Sequence, residues 1–76
     1  IKYDENNIGV YEILGTFYKS KKENLKAMNL FKYAIEKNPK EYILWYRLGL
    51  AYEDIGESVL AKESFDKAKL LKNENI

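Results

Sequence analysis

The chain contains no cysteine and no histidine. The first absence rules out disulfides and thiolate chemistry, and the second removes the commonest metal ligand and the commonest general base near neutral pH. Neither sign of charge dominates: 13 Lys and Arg residues stand against 12 Asp and Glu, for a net charge of +1. So balanced a surface has no field that would draw nucleic acid or an acidic membrane as a default partner. No apolar run approaches the roughly 18 residues that a membrane-spanning helix needs, and no charged-then-apolar signal segment opens the chain. Proline occurs once, at Pro39. What remains is 76 residues, 46% hydrophobic and 14% aromatic, the make-up of one small globular domain and far from that of a disordered chain.

Against this plain background stands a period. Residues of like kind recur at one offset of 34: Tyr11 with Trp45, Leu14 with Leu48, Gly15 with Gly49, Tyr18 with Tyr52, Ala27 with Ala61, Phe31 with Phe65, Ala34 with Ala68, and Glu23 with Glu57. Within each copy the apolar residues follow helical spacing. Val10, Tyr11, Leu14, Phe17 and Tyr18 predict a helix over about 9–20, and Leu25, Met28, Phe31, Ala34 and Ile35 predict a second. Ser20 and Glu23 have the spacing of a capping box between them. Asn38-Pro39 ends the hairpin, because proline disfavours a helical residue before it. The second copy follows the same plan, with Leu44, Trp45, Leu48, Ala51 and Tyr52 on its first helix, Gly56 as the stop, and Val59, Ala61, Phe65 and Ala68 on its second. Gly15, Gly49, Ala27, Ala61, Ala34 and Ala68 are expected where helices approach closely. The aromatic residues Tyr11, Trp45, Tyr18, Tyr52, Phe31 and Phe65 are expected to fill the gaps between helices as core, in preference to stacking bases or a cofactor.

The string Trp45-x-x-Leu48-Gly49-x-x-Tyr52, followed by Ala61-x-x-x-Phe65, resembles the tetratricopeptide repeat signature, spacing included. The resemblance implies an all-α fold of helix-turn-helix repeats: four antiparallel helices forming a fragment of an α-α superhelix. The expected organisation is a tail of a preceding repeat or an N-terminal extension over 1–7, one repeat over 8–41, a second over 42–75, and the start of a following element at residue 76. Ile1 to Asn7 fall in the register of Ile35 to Glu41, and a longer array is therefore expected. Lys62 and Lys69 replace Met28 and Ile35, which suits an edge facing water as well as it suits Lys stems lying along a neighbouring helix. Asn73 stands where Pro39 stood, so the last helix is free to run on.

The resemblance also places function. In such arrays the first helix of each repeat lines a concave face, and the corresponding positions here are Gly9, Glu12, Ile13, Thr16, Lys19 and Ser20 in copy one. Copy two supplies Ile43, Tyr46, Arg47, Leu50, Glu53 and Asp54. Ile43, Tyr46 and Leu50 leave the packing stripe and suggest a hydrophobic groove for a partner's peptide or helix, oriented by Arg47. Members of the family that grip a C-terminal carboxylate carry Lys and Asn where this chain has Glu12 and Thr16, so that mode is not expected. The basic cluster Lys19, Lys21, Lys22 and Lys26 is diluted by acidic neighbours and reads as a solvated helix face. No catalytic residue, metal site or cofactor is expected, and the partners expected are protein or peptide, with no nucleic acid and no membrane. The competing reading is self-assembly into a homo-oligomer through exposed repeat ends, carried by Leu60, Leu70, Leu71 and Ile76, or service as a regulatory segment of a larger enzyme.

Overall fold

A computed structural model describes residues 7–74, which form four α-helices: α1 (Ile8–Ser20), α2 (Asn24–Lys37), α3 (Tyr42–Asp54) and α4 (Ser58–Glu74). Each helix packs on the next, α1 on α2, α2 on α3 and α3 on α4. The connections are three or four residues long, which leaves neighbouring helices no choice but to run antiparallel. The fold is the all-α, four-helix arrangement that the period implies. The segment expected as a preceding tail, apart from Asn7, and the residue expected to open a following element lie outside the described residues.

The same turn closes both hairpins. After α3, Gly56 adopts a φ of 82°, its amide donates to the carbonyl of Glu53 at 3.1 Å, and the Glu57 amide donates to Tyr52 at 2.9 Å. These two bonds satisfy carbonyls that the last helical turn leaves open, and the left-handed backbone they require is one that glycine adopts freely. After α1 the identical pair runs from Lys22 to Lys19 and from Glu23 to Tyr18, both at 2.9 Å, with Lys22 at a φ of 59°. Lys22 thus does with a side chain what Gly56, one period later, does without one.

The turn geometry overrides the expected capping box. Ser20 is still the last residue of α1, and its hydroxyl donates back to the Phe17 carbonyl at 2.7 Å. The residue that caps α2 is Glu23, which makes no side-chain capping bond. Between α2 and α3 the chain behaves as proline demands: Asn38 is non-helical, with its side-chain amide donating to Ala34 at 3.2 Å. With Asn73 in the equivalent place, α4 continues to Glu74 and reaches 17 residues against 14 for α2.

The core runs between the hairpins. Tyr11, Phe31, Ala34, Leu44, Leu48, Tyr52 and Ala61 form one buried cluster, with Ile8, Met28, Ile35 and Phe65 packed around it. Of the aromatic residues expected as core, Tyr11, Phe31 and Tyr52 are buried, whereas Tyr18, Trp45 and Phe65 are half-buried. Trp45 sits at the rim, where its indole nitrogen donates to the Pro39 carbonyl at 3.0 Å. Phe17, Leu25 and Val59, placed on apolar stripes by their spacing, are exposed. Leu25 and Val59 stand one period apart, so this place in the repeat is exposed in both copies. Leu71, expected to be an exposed end, is instead buried, because Ala61, Ser64, Ala68 and Leu71 share one helical face turned toward α3.

Two glycines set the distance within each hairpin. A Cβ on Gly15 would overlap Cζ of Phe31, and one on Gly49 would stand 2.5 Å from Cε1 of Phe65. Since Phe31 is walled in by the core and Phe65 is half-buried beside an open groove, the second ring has room to yield and the first does not. Gly15→Ala is expected to lower stability in urea titration by about 1–2 kcal/mol, as overpacking outweighs the gain in helix propensity, while Gly49→Ala costs less than half as much. Lys22→Gly is expected to raise stability by about 1 kcal/mol by relieving the left-handed lysine, measured the same way.

Candidate first-helix interface

The positions named above lie on α1 and α3, helices of thirteen residues each that ion pairs link across the two hairpins. The structure joins them by charge. Arg47 donates from both Nη2, at 3.0 Å, and Nε, at 3.1 Å, to Oε1 of Glu12. Lys19 pairs with Asp54 at 3.6 Å. Both pairs span 35 residues, one period plus one, and their members are spaced seven apart along each helix, so they are the same contact repeated two helical turns later. These bonds cross from one hairpin to the next. A sequence signal for them existed: opposite charges at an offset one greater than the period.

The remaining positions divide among three places. Ile13, 71% exposed, projects beside Glu12, Thr16 and Arg47 over a shallow depression of about 320 Å³. Thr16 turns its hydroxyl back to the Glu12 carbonyl at 2.8 Å, so it presents its methyl and not a free donor. Leu50 lies in a cleft between the first hairpin and α3, with Thr16, Lys19, Arg47 and Asp54. That cleft holds only about 30 Å³, room for a water or two and no ligand group of any size. Ile43 and Tyr46 line a different hollow, a groove of about 580 Å³ between α3 and α4. Tyr46 rests its ring on Phe65 with centroids 5.6 Å apart and remains 46% exposed. Glu53, Ser20 and Gly9 are exposed.

Ile43 and Tyr46 are therefore brought together, while Leu50, further along the same face of α3, lines the narrow cleft instead. Sequence reasoning restricted to first-helix residues missed the second wall of the large groove, which α4 builds from Phe65, Ala68, Lys69 and Lys72, with Tyr42 completing the α3 side. The lysines there have apolar neighbours: the Lys72 ammonium lies 5.8 Å from the Tyr42 ring centre. The basic cluster near the first turn is dispersed in space. Lys19 is held by Asp54, Lys26 by Glu23 at 3.6 Å, and Lys21 lies over the Phe17 ring. Among the described residues no three His, Cys, Asp or Glu side chains converge as a metal site, and no helix is long and apolar enough to cross a membrane.

Comparison with known proteins gives two findings. Residues 30–63, the latter part of α2, all of α3 and the start of α4, match the family described as tetratricopeptide repeat. The chain is similar to a peroxisomal targeting signal receptor of Kluyveromyces lactis, 34% identical over 59 residues, which is 78% of this chain and 10% of that protein. The chain thus spans about a tenth of the length of this relative. No solved structure matches the chain significantly.

The paired charges generate a measurable coupling. A double-mutant cycle on Glu12→Ala and Arg47→Ala, followed by urea unfolding, is expected to give an interaction of at most about 1 kcal/mol, because both side chains are partly exposed, and to shrink in high salt. A coupling near zero at low salt would mean that the Glu12–Arg47 pair contributes nothing to holding the hairpins together.

Proposed function

Since the chain belongs to the tetratricopeptide repeat family, we propose that it is a protein-interaction module whose partner segment lies across the first-helix face of α1 and α3. The observation that carries this reading is an apolar excess where packing needs none. Ile13 and Tyr46 are large, exposed hydrophobic groups on helices whose charged neighbours are already satisfied within the chain. Ile43 and Leu50 add half-buried apolar surface to either side. Glu12, Thr16, Lys19, Glu53 and Asp54 form the polar surround.

The energetics assign the roles. Micromolar binding corresponds to about 8 kcal/mol, whereas a partly exposed ion pair supplies at most about 1. Roughly 300 to 400 Å² of apolar burial is of the right order before ordering costs are met. Ile13, Ile43 and Tyr46 therefore provide affinity. Arg47 provides orientation: Glu12 occupies one edge of its guanidinium and fixes the plane, leaving other N–H groups to meet a carbonyl or carboxylate of the partner. The yeast relative is a receptor for a targeting signal, which supports a peptide segment as the kind of partner.

The test uses two probes against the immobilised chain: a displayed library of 15-residue peptides, and a synthetic peptide ending in Ser-Lys-Leu, a peroxisome-directing terminus. Peptides enriched from the library are expected to bind at micromolar strength, and Tyr46→Ala is expected to weaken them about tenfold with helicity unchanged in circular dichroism. Equal binding by wild type and Tyr46→Ala would overturn the site. Binding of the Ser-Lys-Leu peptide would extend the relative's ligand class to this chain, and its absence beside productive library binding would confine the reading to other peptides.

A further inference from the structure

The shallow hollow of about 320 Å³ is lined by Glu12, Ile13 and Thr16 of α1 and Arg47 of α3. Its hydrogen-bonding capacity is narrow. Thr16 spends its hydroxyl on the Glu12 carbonyl at 2.8 Å. Arg47 places Nη2 and Nε on the same carboxylate oxygen, Oε1 of Glu12, at 3.0 and 3.1 Å. A guanidinium has five N–H groups and a carboxylate has lone pairs on both oxygens, so this contact on one oxygen leaves three N–H groups of Arg47 and the whole of Glu12 Oε2 for other partners. Both side chains are partly exposed, which puts that remaining capacity within reach of a partner. The pair as a whole has no net charge, yet it sets donors and an acceptor side by side.

Partner groups fit that arrangement unequally. A carboxylate bonds to Arg47 but is repelled by Oε2 of Glu12, and an ammonium is attracted to Oε2 but repelled by Arg47. A trans backbone amide directs its N–H and C=O in opposite directions and so reaches only one of the two groups. The side-chain carboxamide of Asn or Gln is uncharged and carries an NH₂ donor and a C=O acceptor on the same carbon, the feature by which such amides read the adjacent donor and acceptor of adenine. We propose that the Glu12–Arg47 pair is a carboxamide-reading subsite, which selects partner segments that bring an Asn or Gln side chain to this hollow. The subsite rests on the reading of the first-helix face as the peptide site and adds to it what the peptide must carry. Arg47 donates to the amide oxygen, Oε2 of Glu12 accepts from the amide nitrogen, and Ile13 and Thr16 flank the methylene stem. The Lys19–Asp54 pair two turns on does not duplicate it: its 3.6 Å separation is outside hydrogen-bond range, and an ammonium lacks the planar fork of N–H groups.

Peptides enriched from the displayed library on the immobilised chain are the probes. The expected result is an Asn or Gln at one fixed position, and in synthetic copies of those peptides its replacement by Glu or by Lys is expected to weaken binding about tenfold. Glu12→Gln is the decisive variant. It keeps an oxygen for Arg47 but exchanges the free acceptor for a donor and turns the neutral pair cationic, so the Glu form of each peptide is expected to overtake the amide form. Tyr46→Ala, by contrast, should weaken both forms alike and leave their order unchanged. Enriched peptides that depend on Tyr46 but carry no required amide would overturn the subsite and leave the peptide-binding reading standing. So would a Glu12→Gln variant that weakens the amide and acid peptides equally. A library that yields no binder would overturn both. The peptide substitutions are measured on the wild-type chain and do not depend on the folding of Glu12→Gln, whose helicity is checked by circular dichroism.

Discussion

Close approach of paired helices, fixed by a glycine facing a phenylalanine, is the constraint on which the rest of this structure depends. At Gly15 against Phe31 and at Gly49 against Phe65, the ring occupies the space where any other residue would place its Cβ. That contact sets the separation of α1 from α2 and of α3 from α4. The shared left-handed turns at Lys22 and Gly56 bring each second helix back along its first. Two equal units then stack through one seam, where Leu44 and Leu48 enter the cluster of Tyr11, Phe31 and Ala34. With a larger residue at either glycine the facing ring must shift, and the packing that rests on that ring must adjust with it.

The two hairpins are alike in gauge and unlike in finish. Lys22 carries a strain that Gly56 avoids, and Phe31 is enclosed where Phe65 is half open. These differences follow from position. Phe31 lies under α3, whereas no further helix among the described residues lies over Phe65, so its ring becomes the floor of a groove and a platform for Tyr46. The same residue type at the same place in the repeat is thus core in one copy and the floor of an open groove in the other. Sequence periodicity alone cannot distinguish those roles, because both copies satisfy the same packing rule.

That limit accounts for what the sequence did and did not reveal. The helices, their order and their stops were legible because each rests on local chemistry: apolar residues at helical spacing, Pro39 after Asn38, Gly56 at a left-handed turn. The apparent capping box at Ser20 failed because the turn that follows α1 is set by bonds from Lys22 and Glu23, which keep Ser20 inside the helix. Leu71 was misplaced because the register of α4 past its repeat, once proline is absent, is a matter of which face already points at α3. The polar face was the least legible. Glu12, Lys19, Arg47 and Asp54 were recognisable as surface charges, but their pairing depends on how far one hairpin is rotated on the next, a quantity that no single helix encodes.

The pairing has a consequence for recognition. Had Arg47 and Lys19 been free, the first-helix face would present a cationic strip, and an acidic partner would gain from long-range attraction. Tied to Glu12 and Asp54, they present nearly neutral dipoles, so in the proposed mode of binding selection would rest on shape and on the apolar groups Ile13, Ile43 and Tyr46.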